Sequence, residues 1–174
     1  MLGIMFDGFA LETIALPDAM LRVRHGGHGS PVLLLHGHPR THATLHRVAP
    51  LLVTHHTVVW PDLRGFGRSS KPPDTPDHSA SSKRAKAQDC VALMRHLGHE
   101  QFAIIGHDSG SYTAFRAAMD HPGAITQLGI LDGAPILEAL ERWDARFAAR
   151  WWHWFFFGQL EKPERASLAN PDGW

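Results

Sequence analysis

The sequence has 174 residues, the length of one domain, and its 44% apolar and 20% charged residues are ordinary for a globular protein. Lysine plus arginine and aspartate plus glutamate number 17 each, so no net charge draws the chain to nucleic acid, an anionic polymer or a membrane surface. The lone cysteine, Cys90, excludes an internal disulfide framework and suits a reducing cytoplasm. Residues 1–7 lack the basic start and long apolar run of a signal peptide, and the longest aromatic run, residues 151–157, is too short to span a bilayer.

Along the chain, short apolar runs alternate with helical patterns. Residues 32–35 form a continuous apolar run, entered from Gly29-Ser30-Pro31 and stopped at His36-Gly37. A helix near residues 47–53 must start late, because proline at position 50 is tolerated only in a first turn. Residues 57–60 are β-branched and aromatic and end at Pro61. Ala87, Cys90, Val91, Met94 and Leu97 then recur at helical spacing, with Lys83, Arg84, Lys86 and Asp89 off that stripe and Gly98 as a left-handed stop. Residues 102–105 are a third apolar run. Ser111, Ala114, Phe115 and Ala118 make a second helical stripe that ends at His121-Pro122-Gly123, and residues 128–131 are a fourth run. Short, fully apolar strands alternating with helices predict an α/β fold with a doubly wound, mostly parallel sheet, whose chemistry sits at the carboxyl ends of the strands. From Ile136 the pattern changes: Ile136, Leu140, Trp143, Phe147 and Trp151 form one helical stripe with no strand after it, which places a boundary near Pro135.

The strongest chemical signal is Gly106-His107-Asp108-Ser109-Gly110, where a strand runs straight into a helix. This is a nucleophile elbow with aspartate at its centre. The turn requires small residues two before and two after the nucleophile, and Gly106 and Gly110 supply them. Asp108 then sits at a helix N-terminus, where the dipole favours an anion and the next N–H can serve as an oxyanion donor. A rival frame makes Ser109 the nucleophile, as in trypsin-like proteases. Those proteins are all-β, and that frame puts His107 where an elbow needs a small residue. A bland reading, with Asp108 only capping the helix, leaves the two glycines unexplained. Asp132, after residues 128–131, closes the next strand, where an acid can orient a histidine or simply open a turn before Gly133.

Neither a cofactor nor a metal is expected. The glycines of Arg64-Gly65-Phe66-Gly67-Arg68 could form a dinucleotide loop, but Lys71-Pro72-Pro73 follows in place of a helix, so residues 61–69 read as a loop bracing the elbow. Histidine is frequent, at 14, and His38/His42 and His42/His46 have the spacing of a helical metal site. Pro39 argues against a helix through His38, and no cysteine or carboxylate completes a ligand set.

Taken together, Met5-Phe6-Asp7-Gly8-Phe9, Leu33-Leu34-Leu35-His36-Gly37-His38-Pro39, Asp62-Leu63-Arg64-Gly65-Phe66-Gly67, Gly106-His107-Asp108, Leu131-Asp132 and Trp152-His153-Trp154 resemble the haloacetate (fluoroacetate) dehalogenases. These belong to the α/β-hydrolase superfamily, with the haloalkane dehalogenases and epoxide hydrolases. The resemblance covers nearly the whole chain. It implies the N-terminal part of an α/β-hydrolase core over residues 1–134 and the start of a helical cap over residues 135–174. It also implies that Asp108 attacks the carbon bearing the leaving group of a small-molecule substrate, and that a histidine then activates water to hydrolyse the resulting ester. Asp132 matches the acid that orients this histidine. The N–H groups of His38 and Ser109 match the oxyanion donors, and His153 and Trp154 match the cap residues that cradle the halide.

Two departures stand out. Where these dehalogenases carry arginines that grip a substrate carboxylate, this sequence has Ser109 and Tyr112, which predicts a preference for neutral substrates unless an arginine such as Arg40 or Arg146 reaches the site. The resemblance also places the base histidine later than Trp174, so residues 1–174 alone are expected to lack turnover. An epoxide hydrolase is the alternative enzyme, although it would want cap tyrosines and the only tyrosine is Tyr112. A non-catalytic remnant is the alternative outside enzymes. The aromatic run of residues 151–157 is expected to drive self-association if exposed.

Overall fold

The computed structural model describes residues 6–73 and 75–173, so Met5, the first residue of the resemblance, lies outside the described residues. The chain forms two compact units, Met1–Pro135 and Ile136–Trp174. In the first, a six-stranded sheet is built from β1 (Ala10–Ala15), β2 (Met20–Gly27), β3 (Ser30–Leu35), β4 (His56–Pro61), β5 (Phe102–His107) and β6 (Ile125–Leu131). Its order is β1-β2-β4-β3-β5-β6; β1 pairs antiparallel with β2 and β2 with β4, and the other pairings are parallel. The α-helices among the described residues of this unit are α1 (Ala49–Leu52), α2 (Lys83–His96) and α3 (Ser109–Asp120).

The continuous apolar run of β3 follows from burial on both faces. Successive side chains point to opposite sides of a strand. Val32 and Leu34 pack with Leu45, Ala49, Val58 and Trp60, while Leu33 and Leu35 pack with Val59, with Ala87, Cys90 and Met94 of α2, and with Ala114 and Ala117 of α3. Each fully buried leucine contributes about 1.5–3 kcal/mol. The β1–β2 hairpin was not anticipated from the sequence. Only Ile14, Leu21 and Val23 of these strands are buried, with Glu12, Arg22 and Arg24 alternating among them, so the signal is a half-polar, period-two pattern.

The register positions the site. Leu35 lies beside Gly106 and His107 beside Leu131, so β3, β5 and β6 end together and the segments after them meet. Ser82 caps α2 by accepting from the Ala85 N–H, and Gly98 closes it at φ 86°, with the His99 N–H returning to the Met94 carbonyl. Lys86 and Asp89, placed off the apolar stripe by their charge, are in fact buried. Asp89 takes a bidentate grip from Arg64 in the loop after β4.

In the second unit the single expected stripe is broken into α4 (Ile136–Glu141) and α5 (Ala145–Arg150), followed by α6 (Trp152–Phe157) and α7 (Lys162–Ala169). Asp144 stops the run by turning extended and accepting the Phe147 N–H, which starts α5 afresh, and Trp151 interrupts it again. No helix among the described residues is long and apolar enough to cross a membrane.

Candidate active site

Asp108 lies between β5 and α3 with φ 52° and ψ −122°, a backbone conformation costly for a residue with a side chain, of order 1–3 kcal/mol. The neighbours hold it there. Its N–H donates to the Leu131 carbonyl at 3.0 Å, and its own carbonyl accepts the Ser111 N–H at 2.9 Å and the Ser111 hydroxyl at 2.5 Å. The two elbow glycines are required by contact: a Cβ on Gly106 would strike the Gly110 carbonyl oxygen, and one on Gly110 would lie 2.5 Å from the His36 carbonyl oxygen.

The segment after β3 meets Asp108 directly. The His38 N–H donates to Asp108 Oδ1 at 2.8 Å. Gly37 permits this approach, since a Cβ there would lie 2.6 Å from Asp108 Oδ1. Ser109 opens α3, so its N–H has no acceptor within the helix and belongs to the positive end of the dipole. Of the two residues expected to donate, His38 thus bonds Asp108 Oδ1 through its N–H, and Ser109 stands at the N-terminus of α3.

His36 fixes the segment from beneath. It is fully buried; its Nε2 accepts the Leu63 N–H at 3.0 Å, which leaves the proton on Nδ1, donated to the Gly37 carbonyl at 2.8 Å. Burial pushes its pKa below the ordinary value, consistent with a neutral ring. Leu63 belongs to the loop that Asp62 ties together. Asp62 Oδ1 accepts from the His42 N–H and from His42 Nδ1, and Oδ2 from the Arg68 N–H. Burial disfavours the Asp62 carboxylate, but these donors outweigh it and hold the group below the usual range. His42 is therefore committed to Asp62, and His46 Nδ1 to the Ala43 carbonyl.

Asp132 follows β6 with φ 50° and an exposed side chain whose Oδ2 lies 3.9 Å from His107 Nε2. Tyr112 is half-buried on α3, one helical turn after Asp108, and its phenol is pushed up to about 12 by burial and by the Asp108 and Asp132 carboxylates. His153 and Trp154 lie on α6 in the second unit. His153 packs between Trp151 and Trp152, and Trp154 meets Phe147 edge-on at 5.8 Å. Sequence reasoning missed Lys83, whose Nζ stands 5.9 Å from the centre of the Tyr112 ring. The available signal was a run of cations in the first turn of α2, where a helix dipole disfavours them.

Comparison with known proteins agrees with this architecture. The profile of the alpha/beta hydrolase fold family matches residues 30–170. A fluoroacetate dehalogenase from Burkholderia sp is 44% identical over 169 residues, 97% of this chain and 56% of the relative. A soluble epoxide hydrolase from Corynebacterium sp. (strain C12) is 38% identical over 133 residues, 76% of this chain and 45% of the relative. A solved structure from Nostoc sp PCC 7120, of a protein assigned to the α/β hydrolases, superposes with a TM-score of 0.93 at 44% identity, covering 95% of this chain and 57% of that one. The chain belongs to the α/β-hydrolase family. A dehalogenase and epoxide hydrolases are among its relatives, and it spans about half the length of the curated relatives it matches.

Proposed function

We propose that this chain carries the nucleophile half of a dehalogenase-type hydrolase that works through an ester on Asp108. The observation that carries the reading is the 2.8 Å hydrogen bond from the His38 N–H to Asp108 Oδ1 at the apex of a strained elbow. With Oδ1 held, a lone pair on Oδ2 attacks the substrate carbon. The carbon–halogen bond breaks, the halide leaves with its electron pair, and the carboxylate becomes an alkyl ester. When water later attacks the ester carbon, the negative charge develops on Oδ1, where the His38 and Ser109 N–H groups wait. Asp132 is the orienting acid for the histidine that takes the proton from that water, and His153 and Trp154 are the halide donors the resemblance assigns. Opening an epoxide would use the same nucleophile but needs an acid at the epoxide oxygen. Tyr112, raised to about 12, is a poorer acid than an ordinary phenol.

The test is direct. Incubated with chloroacetate or a short chloroalkane, a polypeptide of these 174 residues is expected to gain one ester, mapped by peptide mass spectrometry to Asp108, and to hold it without turning over. Asp108→Asn is expected to gain none. An adduct confined to another residue, or sustained halide release over many equivalents, contradicts the reading.

The same polypeptide is expected to associate in solution. Trp143, Trp151, Trp152 and Phe157 of the second unit are exposed, as are Leu128 and Leu131 on β6, the strand at one end of the sheet order. Light scattering showing a monodisperse monomer, with no binding of a hydrophobic dye, would contradict this.

A further inference from the structure

Of the two positions expected to have lost the grip on a substrate carboxylate, Ser109 and Tyr112, the second has a cation beside it from a different helix. Lys83 opens α2, and its Nζ lies 5.9 Å from the centre of the Tyr112 ring. Tyr112 lies one turn into α3, close enough to Asp108, which precedes that helix, for the carboxylate to help raise its phenol. Lys86, three positions after Lys83, stands 5.2 Å from the centre of the Phe66 ring. Phe66 in turn packs against His36 and His38, and the His38 N–H holds Asp108. The first turn of α2 is therefore linked to the nucleophile along two routes, through Tyr112 and through the oxyanion segment.

This placement opposes helix electrostatics. The first turn of α2 contains no acid, and its cations Lys83, Arg84 and Lys86 face the positive end of the dipole. Of the other two, Arg84 is paired and Lys86 is enclosed beside the Phe66 ring. Arg84 pairs with Asp120 at 3.1 Å. Lys86 is buried, which lowers its pKa to about 8 with help from Lys83 and Arg64. Lys83 is partly buried and forms no ion pair among the described residues; burial lowers its pKa, and the charge of Asp108 opposes that shift. A partly buried ammonium without an anionic partner is stabilised when an anion arrives.

We propose that Lys83 is the specificity-determining residue of this site, its ammonium beside Tyr112 pairing with a carboxylate on the substrate and so directing the hydrolase to small halogenated acids. The proposal rests on the reading of Asp108 as nucleophile and deepens it. It reverses the preference for neutral substrates inferred from Ser109 and Tyr112 alone, and it needs neither Arg40 nor Arg146, both exposed. It also answers an electrostatic problem, since an anionic nucleophile attacking an anionic substrate brings two like charges together and a neighbouring cation offsets their repulsion. A lysine is a point charge on a flexible stem and lacks the planar fork of arginine, so the site should tolerate acids of different length better than a paired-arginine clamp would.

The experiment compares the rate of Asp108 ester formation from chloroacetate with that from chloroacetamide, its neutral counterpart, read by peptide mass spectrometry. In Lys83→Met the chloroacetate rate constant is expected to fall by about tenfold or more, the loss of one charge-assisted hydrogen bond, while that for chloroacetamide changes by less than about twofold. Lys83→Arg, which keeps the charge, is expected to retain most of the preference for the acid, and thermal melting of both variants shows that they fold. Equal losses with both reagents, or an unchanged ratio, overturn the role of Lys83 while leaving the nucleophile in place. Absence of an ester on Asp108 from either reagent in the unsubstituted chain overturns both readings.

Discussion

Asp89→Ala is expected to lower folding stability by about 3–5 kcal/mol, the usual penalty for stranding one member of a buried ion pair. Asp89 and Arg64 are both buried; Nε and Nη2 of Arg64 each meet one carboxylate oxygen at 2.5 Å, and Nη1 reaches the Ala80 carbonyl at 3.2 Å. Without the carboxylate, the guanidinium would remain in a region that already contains Lys86. The damage would extend beyond α2. Arg64 directly follows Leu63, whose N–H fixes His36, and His36 fixes the segment that bonds Asp108. Urea denaturation measures the loss, and the double variant Arg64→Met/Asp89→Leu should recover much of it by replacing the pair with apolar groups of similar size. A loss below about 1 kcal/mol for Asp89→Ala would show that solvent reaches the pair and that it does not lock the loop.

The parts of this molecule that the sequence announced are those where one physical demand dominates. Strands β3, β4 and β5 are covered on both faces and read as unbroken apolar runs. The elbow was legible because Gly106 and Gly110 leave no room for a side chain, a constraint that survives in the residue types themselves. The β1–β2 hairpin was harder, since one face is wet and the Arg22 and Arg24 charges mask the alternation of Leu21 and Val23. Lys86 and Asp89 were misplaced for a different reason. Charge normally marks a solvated face, and only the tertiary contacts with Phe66 and Arg64 reveal that these two are enclosed. The same assumption hid Lys83. In the second unit one helical period runs through residues 136–151 of the sequence, but a period does not see a cap, and Asp144 starts a new helix by accepting the Phe147 N–H.

Gly37→Ala is expected to slow ester formation on Asp108 by about 10²–10³-fold, the effect of losing one oxyanion donor. The added Cβ would lie 2.6 Å from both Asp108 Oδ1 and Asp108 Cβ, closer than any non-bonded contact allows. One of two groups must yield. If the carboxylate swings away, Asp108 leaves the line of attack proposed for it. If the segment retreats, the His38 N–H withdraws from Oδ1, and the charge that develops there loses a donor. Relaxation is hindered on both sides, because Asp108 is pinned through Leu131 and Ser111 and the segment is pinned through His36. Gly65→Ala is the matched control. Gly65 has φ 87° and open space around its Cβ, so alanine there should cost about 1 kcal/mol of stability and leave the rate of esterification nearly unchanged. Single-turnover mass spectrometry reads the rate and thermal melting reads the stability. If Gly37→Ala forms the ester within about threefold of the unsubstituted rate while remaining folded, the contact between the His38 segment and Asp108 contributes little to the chemistry, and the oxyanion role of His38 fails with it.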